Sequence, residues 1–313
     1  MSLATPCQQT TVDFGRRWFV WFLASVVIAG LCLSVVPTAS ATTNDAEWQR
    51  LLKAEDERHQ ERWDFLRDAY FDDKPVSSAD GILEIKAPVV PTDAAVVPIS
   101  IRSLLPQTEE RFIRRITLLV DHNPSPLAAV FHLTPRNGVA DLATRVRVGE
   151  FSFVRAVAEF NDGELVVAST FIKASGGCDV VPFEDTAAVE KRIGKMKLRL
   201  PGGSMGSVST VGDGSEVTAR LADLLIEHPN YNGMQASAEP GVMIPIRTLD
   251  RVEVMYAGKA LMQIEGHQSL SHNPKFRFHY VPDEPDGTKI AGGFTVRALD
   301  SSDTEFQKQW PKQ

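Results

Sequence analysis

Cysteine is scarce in this chain of 313 residues: three occur, Cys7, Cys32 and Cys178, too few for a disulfide framework to replace a hydrophobic core. Basic runs are absent as well. A formal charge of -7 and a pI near 5.6, without a Lys/Arg cluster to neutralise phosphates, argue against a nucleic-acid partner. No G-x-S-x-G, Walker or G-x-G-x-x-G element occurs, which removes the serine nucleophile elbow and the common phosphate loops. The Gly-rich stretch "PGGSMGSVSTVGDGSE" has neither the lysine nor the strand-to-helix context of such a loop and reads as a linker. The seven histidines, His59, His122, His132, His228, His267, His272 and His279, show no tight metal-motif spacing. No metal site and no cofactor is therefore expected.

What is present is a globular composition, 43% hydrophobic and 23% charged. The first residues resemble an export signal: Arg16 and Arg17, an apolar run from Trp18 to Val36, then Ala39-Ser40-Ala41 as a cleavage site. The arginine pair also fits a twin-arginine signal, and the length of the run leaves a retained membrane anchor as the alternative. Cleavage after residue 41 would remove Cys7 and Cys32. Cys178 would then be a lone thiol in an oxidising compartment, where it is a reactive group, an intermolecular bridge or a buried bystander.

The remaining chain divides by its periodicity. Residues 42–80 form a charged, helical segment, with Trp48, Leu51, Leu52, Trp63, Leu66 and Tyr70 available to one face and His59 among solvated charges. From Ile82 the period becomes two, in short β-branched runs broken by turns such as Asn161-Asp162-Gly163. Residues 81–181 predict an immunoglobulin-like β-sandwich. Residues 182–214 read as a linker, and residues 215–313 as a second all-β domain with a turn at Ala257-Gly258-Lys259. The expected fold class is thus all-β: two immunoglobulin-like sandwiches with separate cores, joined by a linker and preceded by a helical segment. "DHNPSPLAAVFHL" and "SHNPKFRFHYV" echo each other weakly, as two sandwiches using the same Asn-Pro turn chemistry would.

Cys178 lies in "FIKASGGCDVV", where Gly176 and Gly177 put no side chain beside the sulfur and leave the segment free to carry a bulky adduct. Ser175, Asp179 and the linker after them predict an exposed thiol. Lys173 is the nearest base in sequence, and Asp179 raises the thiol pKa. Those neighbours suit an acceptor charged by a partner enzyme better than a self-activated nucleophile.

Several stretches together resemble the SoxY and SoxZ sulfur-carrier families. "VDHNPSPLAAVFHL" and "TRVRVGEFSFVRAVAEFNDGELVVASTFIKASGGC" are similar to SoxY; "LLIEHPNYNGMQ", "IPIRTLDRVEVMYAGKAL" and "LSHNPKFRFHYV" are similar to SoxZ. The order within one chain resembles fused SoxYZ-like carriers associated with quinoprotein dehydrogenases. The resemblance implies that Cys178 is the covalent attachment point for sulfur intermediates, that Gly176 and Gly177 belong to its carrier arm, and that the chain is a carrier without catalysis of its own. It further implies periplasmic partners, either sulfur-oxidation enzymes or quinoprotein dehydrogenase and cytochrome proteins. Asp179 and Val180 depart from the family pattern, in which a second glycine pair follows the cysteine and the chain ends. The other reading open to the sequence is a docking module with an incidental cysteine; an enzyme comes third.

Overall fold

A computed structural model describes residues 42–181, 186–201, 208–210, 216–237, 239–283 and 293–311. The stretch read as an export signal and most of the Gly/Ser-rich stretch fall outside them. Residues 1–48 and 49–313 are separate compact units; of the first, only the helical residues 42–48 are described.

Helix α1 (Thr42–Phe71) is free of Gly and Pro. It stops where Asp72 and Asp73 take left-handed backbone angles ahead of Pro75, as a helix C-terminus requires. Trp63, Leu66 and Phe71 are buried against Leu119, Val157 and Leu165. Leu51, Leu52 and Tyr70, expected on the packed face, are exposed, whereas His59, expected in solvent, is buried. The cause is helical spacing: residues 59, 63 and 66 follow one another at i+4 and i+3 on one stripe, and His59 completes it. The edges of Phe153 and Phe171 meet its ring at 5.3 Å each.

Eight strands follow: β1 (Val76–Ser78), β2 (Leu83–Lys86), β3 (Val97–Ser103), β4 (Ile113–Val120), β5 (Leu127–Leu133), β6 (Leu142–Val146), β7 (Ser152–Phe160) and β8 (Leu165–Ile172). Next come a short helix α2 (Thr186–Glu190), β9 (Met196–Arg199) and the antiparallel pair of β10 (Val208–Thr210) and β11 (Glu216–Thr218). The second half closes with β12 (Arg220–Ile226), β13 (Leu249–Tyr256), β14 (Lys259–Gly266), β15 (Lys275–Tyr280), β16 (Phe294–Asp300) and β17 (Glu305–Trp310). Both expected hairpins form. Gly163 takes a positive φ between β7 and β8, and Ala257 and Gly258 do so between β13 and β14.

Two sheets face each other across the core. One runs β1-β8-β7-β4-β5-β14-β13-β16-β17 and the other β2-β3-β6-β15-β12-β9. Both cross from the first half of the chain into the second. β5 pairs antiparallel with β14, placing Phe131 opposite Ile264, and β6 meets β15 at Ala143 and Arg277. The all-β immunoglobulin-like architecture and the N-terminal helix agree with expectation. The separate cores do not: one continuous cluster includes Phe131 and Ile116 from the first half with Phe276, Tyr256 and Ile264 from the second. The reason is edge pairing. Left unpaired, β5 and β14 would each present a row of open N–H and C=O groups, and joining them makes the sandwiches continuous. Within the stretch read as a linker, β9 adds an edge to the second half by pairing with β12.

Candidate functional site

Residues after β8 turn back and lie along the segment that follows β6. The Gly176 amide donates to the Gly149 carbonyl at 2.8 Å and the Gly177 amide to the Val148 carbonyl at 2.9 Å. The arm is therefore held by a short β-like ladder. Its two glycines serve different ends. Gly176 has a φ of +76° with open space around its Cβ position, so it supplies the left-handed turn. At Gly177 a Cβ would stand 2.1 Å from the Ala94 carbonyl oxygen and 2.7 Å from that of Val148, so only glycine allows this approach.

Cys178 is consequently buried, 3% exposed, which corrects the expected exposed thiol. Local composition, polar and glycine-rich, argued for exposure, but main-chain pairing to residues 148–149 draws the arm in. A third glycine shapes the pocket: a Cβ on Gly149 would lie 3.1 Å from the Cys178 sulfur.

Both halves of the chain grip the arm. Asn232, in the loop after β12, donates its side-chain amide to the Cys178 carbonyl at 3.0 Å. Arg147 is fully buried, and its Nη1 donates to the carbonyls of Gly177 at 3.3 Å and Val180 at 3.2 Å while Nη2 reaches the Asn230 carbonyl at 3.5 Å. The two asparagines of the echoed His-Asn-Pro motifs brace this seam. Asn123 donates to the Arg147 carbonyl and to Ser269 Oγ and accepts from the Gly149 amide. Asn273 accepts the His228 amide through its side chain, and its main-chain carbonyl accepts from Arg145 at 2.6 Å.

Burial pushes the Cys178 thiol up to about 11; Arg147 acts in the opposite direction and Asp179 adds a smaller rise. Asp179 does raise the thiol as expected, but it is exposed and is the least of the three causes. Lys173, the nearest base in sequence, is exposed; the cation at the arm is Arg147. Sequence reasoning missed it because Arg145 and Arg147 alternate with valines in "TRVRVG", where a half-exposed strand face accounts for both.

A second polar cluster joins α1 to the turn after β4. His59 Nδ1 and His122 Nε2 lie 2.7 Å apart, and Arg58 donates to Glu150 at 2.9 Å. Burial, followed by Arg58 and His59, lowers the His122 pKa. The histidine pair that meets, His59 and His122, is 63 residues apart in sequence. Among the described residues no three His, Cys, Asp or Glu side chains are grouped to hold a metal ion.

Comparison with known proteins matches residues 67–178 to the model of the family "Sulfur oxidation protein SoxY", ending on Cys178, and residues 212–311 to that of "Sulphur oxidation protein SoxZ". No curated protein matches. Among solved structures, the sulfur carrier protein SoxY from Chlorobium limicola f thiosulfatophilum is 23% identical, covering 39% of this chain and 98% of its own, with a TM-score of 0.33. The superoxide reductase (neelaredoxin) from Ignicoccus hospitalis is 18% identical, covering 29% and 79%, with a TM-score of 0.27. With a SoxY domain that ends on the buried cysteine and a SoxZ domain that grips it, the chain belongs to the SoxYZ-type sulfur carriers, both parts fused in one polypeptide.

Proposed function

We propose that this fused carrier acts in the periplasm and holds a sulfur-containing intermediate covalently on Cys178 while partner enzymes process it. One observation carries the reading: the SoxY match ends on a cysteine whose Gly-Gly arm is docked by a handful of hydrogen bonds between the two halves. Each such bond contributes about 0.5–1.5 kcal/mol net, so the arm is held firmly enough to shield the sulfur and weakly enough to leave. Docked, the thiol is neutral and out of reach. Released, it regains ordinary acidity and can accept or surrender cargo. The chain itself carries and does not catalyse; its partners are sulfur-oxidation enzymes, extended here to quinoprotein dehydrogenase or cytochrome proteins of the periplasm.

A second reading draws on the same burial: a docking module of such a system in which the cysteine is incidental, since a thiol raised to about 11 is a poor nucleophile at neutral pH. Cys178→Ser separates the two. A host carrying only this variant loses sulfur-compound oxidation if the chain is a covalent carrier, and retains it if the chain merely docks.

A further inference from the structure

Arg147 is the cation at the arm. It is fully buried, and among the described residues no carboxylate stands within ion-pair distance of it. Its guanidinium meets three main-chain carbonyls, and its Nε has no hydrogen-bond partner. Burial lowers its pKa, while the charges of Cys178 and, after it, Asp93 act in the opposite direction; Asp93 is exposed and accepts the Ala95 amide at 2.8 Å. Burying a cation costs several kcal/mol unless an anion or a full set of acceptors offsets it. Carbonyl dipoles offset only part. Two of the three belong to Gly177 and Val180, on either side of Cys178, and the third to Asn230, so among the described residues the charge sits mainly against the arm.

We infer that Arg147 is the specificity-determining residue of the docked arm: it is the built-in counterion for an anionic group carried on Cys178, such as a thiosulfonate, and it favours docking of anionic over neutral cargo. This rests on the carrier reading. Its physical basis is separate, because the guanidinium fork is suited to oxyanions and Arg147 both holds the carbonyls on either side of Cys178 and acts on the charge of its sulfur. An undocked anionic group gains nothing from Arg147, whereas a docked one completes the missing pair.

Chemical loading of the full-length protein tests this without the natural cargo. With tetrathionate, the Cys178 thiolate attacks a central sulfur; the new S–S bond forms, the central S–S bond breaks, and thiosulfate leaves with the electron pair, giving Cys178–S–S–SO3⁻. With methyl methanethiosulfonate, the thiolate attacks the methylthio sulfur and methanesulfinate leaves, giving a neutral methyl disulfide. The rate at which dithiothreitol releases each adduct is measured in folded and in denatured protein, and the ratio gives a protection factor free of intrinsic reactivity. The anionic adduct should be protected about tenfold more than the neutral one, equivalent to about 1.4 kcal/mol. Arg147→Gln should abolish that excess and Arg147→Lys should keep part of it. Equal protection of both adducts in the unmodified sequence overturns the inference even if Arg147→Gln fails to fold, and so does an excess that survives in a folded Arg147→Gln protein. Failure of the carrier reading would appear elsewhere, as the absence of any adduct on protein taken from its host.

Discussion

Asn232 donates its side-chain amide to the main-chain carbonyl of Cys178 at 3.0 Å, so the SoxZ part of the chain holds the residue on which the SoxY part ends. That bond is one of few anchoring the arm, and its loss should be felt as easier undocking. Replacing Asn232 with Ala removes about 0.5–1.5 kcal/mol from the docked state, which raises the alkylation rate of Cys178 by roughly two- to tenfold. Iodoacetamide labelling followed by intact mass measures it, and an unchanged rate would show that Asn232 does not govern the arm.

The two arm glycines should respond differently. Gly177→Ala would drive a Cβ to 2.1 Å from the Ala94 carbonyl oxygen, and neither backbone can yield that far, so the arm must leave its groove and the thiol should label nearly as fast as in denatured protein. Gly176→Ala meets open space and pays only for its left-handed φ, about 1–2 kcal/mol. Its labelling should be intermediate. Equal rates for both variants would contradict the docked geometry.

The pH profile follows from burial. The folded thiol is raised to about 11 from an ordinary 9.0, so the folded state keeps a proton that the unfolded state has already lost. Stability is then unaffected by this group below pH 9 and falls as pH rises from about 9 to about 11. Alkylation by a neutral reagent should climb across the same window. A profile that levels off near 9.0 would mean an exposed thiol.

The shared core predicts a single unfolding event. Phe131 and Phe276 come from different halves and meet edge to face at 6.3 Å. Phe131→Ala should cost about 3–5 kcal/mol and move one cooperative transition of residues 49–313 to lower denaturant. Separate transitions for the SoxY and SoxZ parts, seen by calorimetry, would contradict the continuous sheets.

Legibility in the sequence tracked how local each feature was. Asn161-Asp162-Gly163 and Ala257-Gly258 announced their hairpins because turn chemistry is decided by adjacent residues. Gly176, Gly177 and Cys178 stood out for the same reason. The pairing of β5 with β14 was not legible, since nothing within either strand says which edge it will meet. Arg147 and Asn232 likewise became part of the site only through folding, from opposite halves of the chain. His59 was misread because its neighbours are charged; its place on the buried stripe depends on the surface α1 covers. Cys178 itself shows the limit most plainly: its polar, glycine-rich surroundings imply exposure, and main-chain hydrogen bonds to residues 148–149 produce burial.

The central claim is that Cys178 carries sulfur. Intact mass spectrometry of the protein isolated from its host, before and after dithiothreitol, tests it most directly. The carrier account predicts a mass increase that maps to Cys178 and disappears on reduction. An unmodified thiol under every growth condition would contradict it.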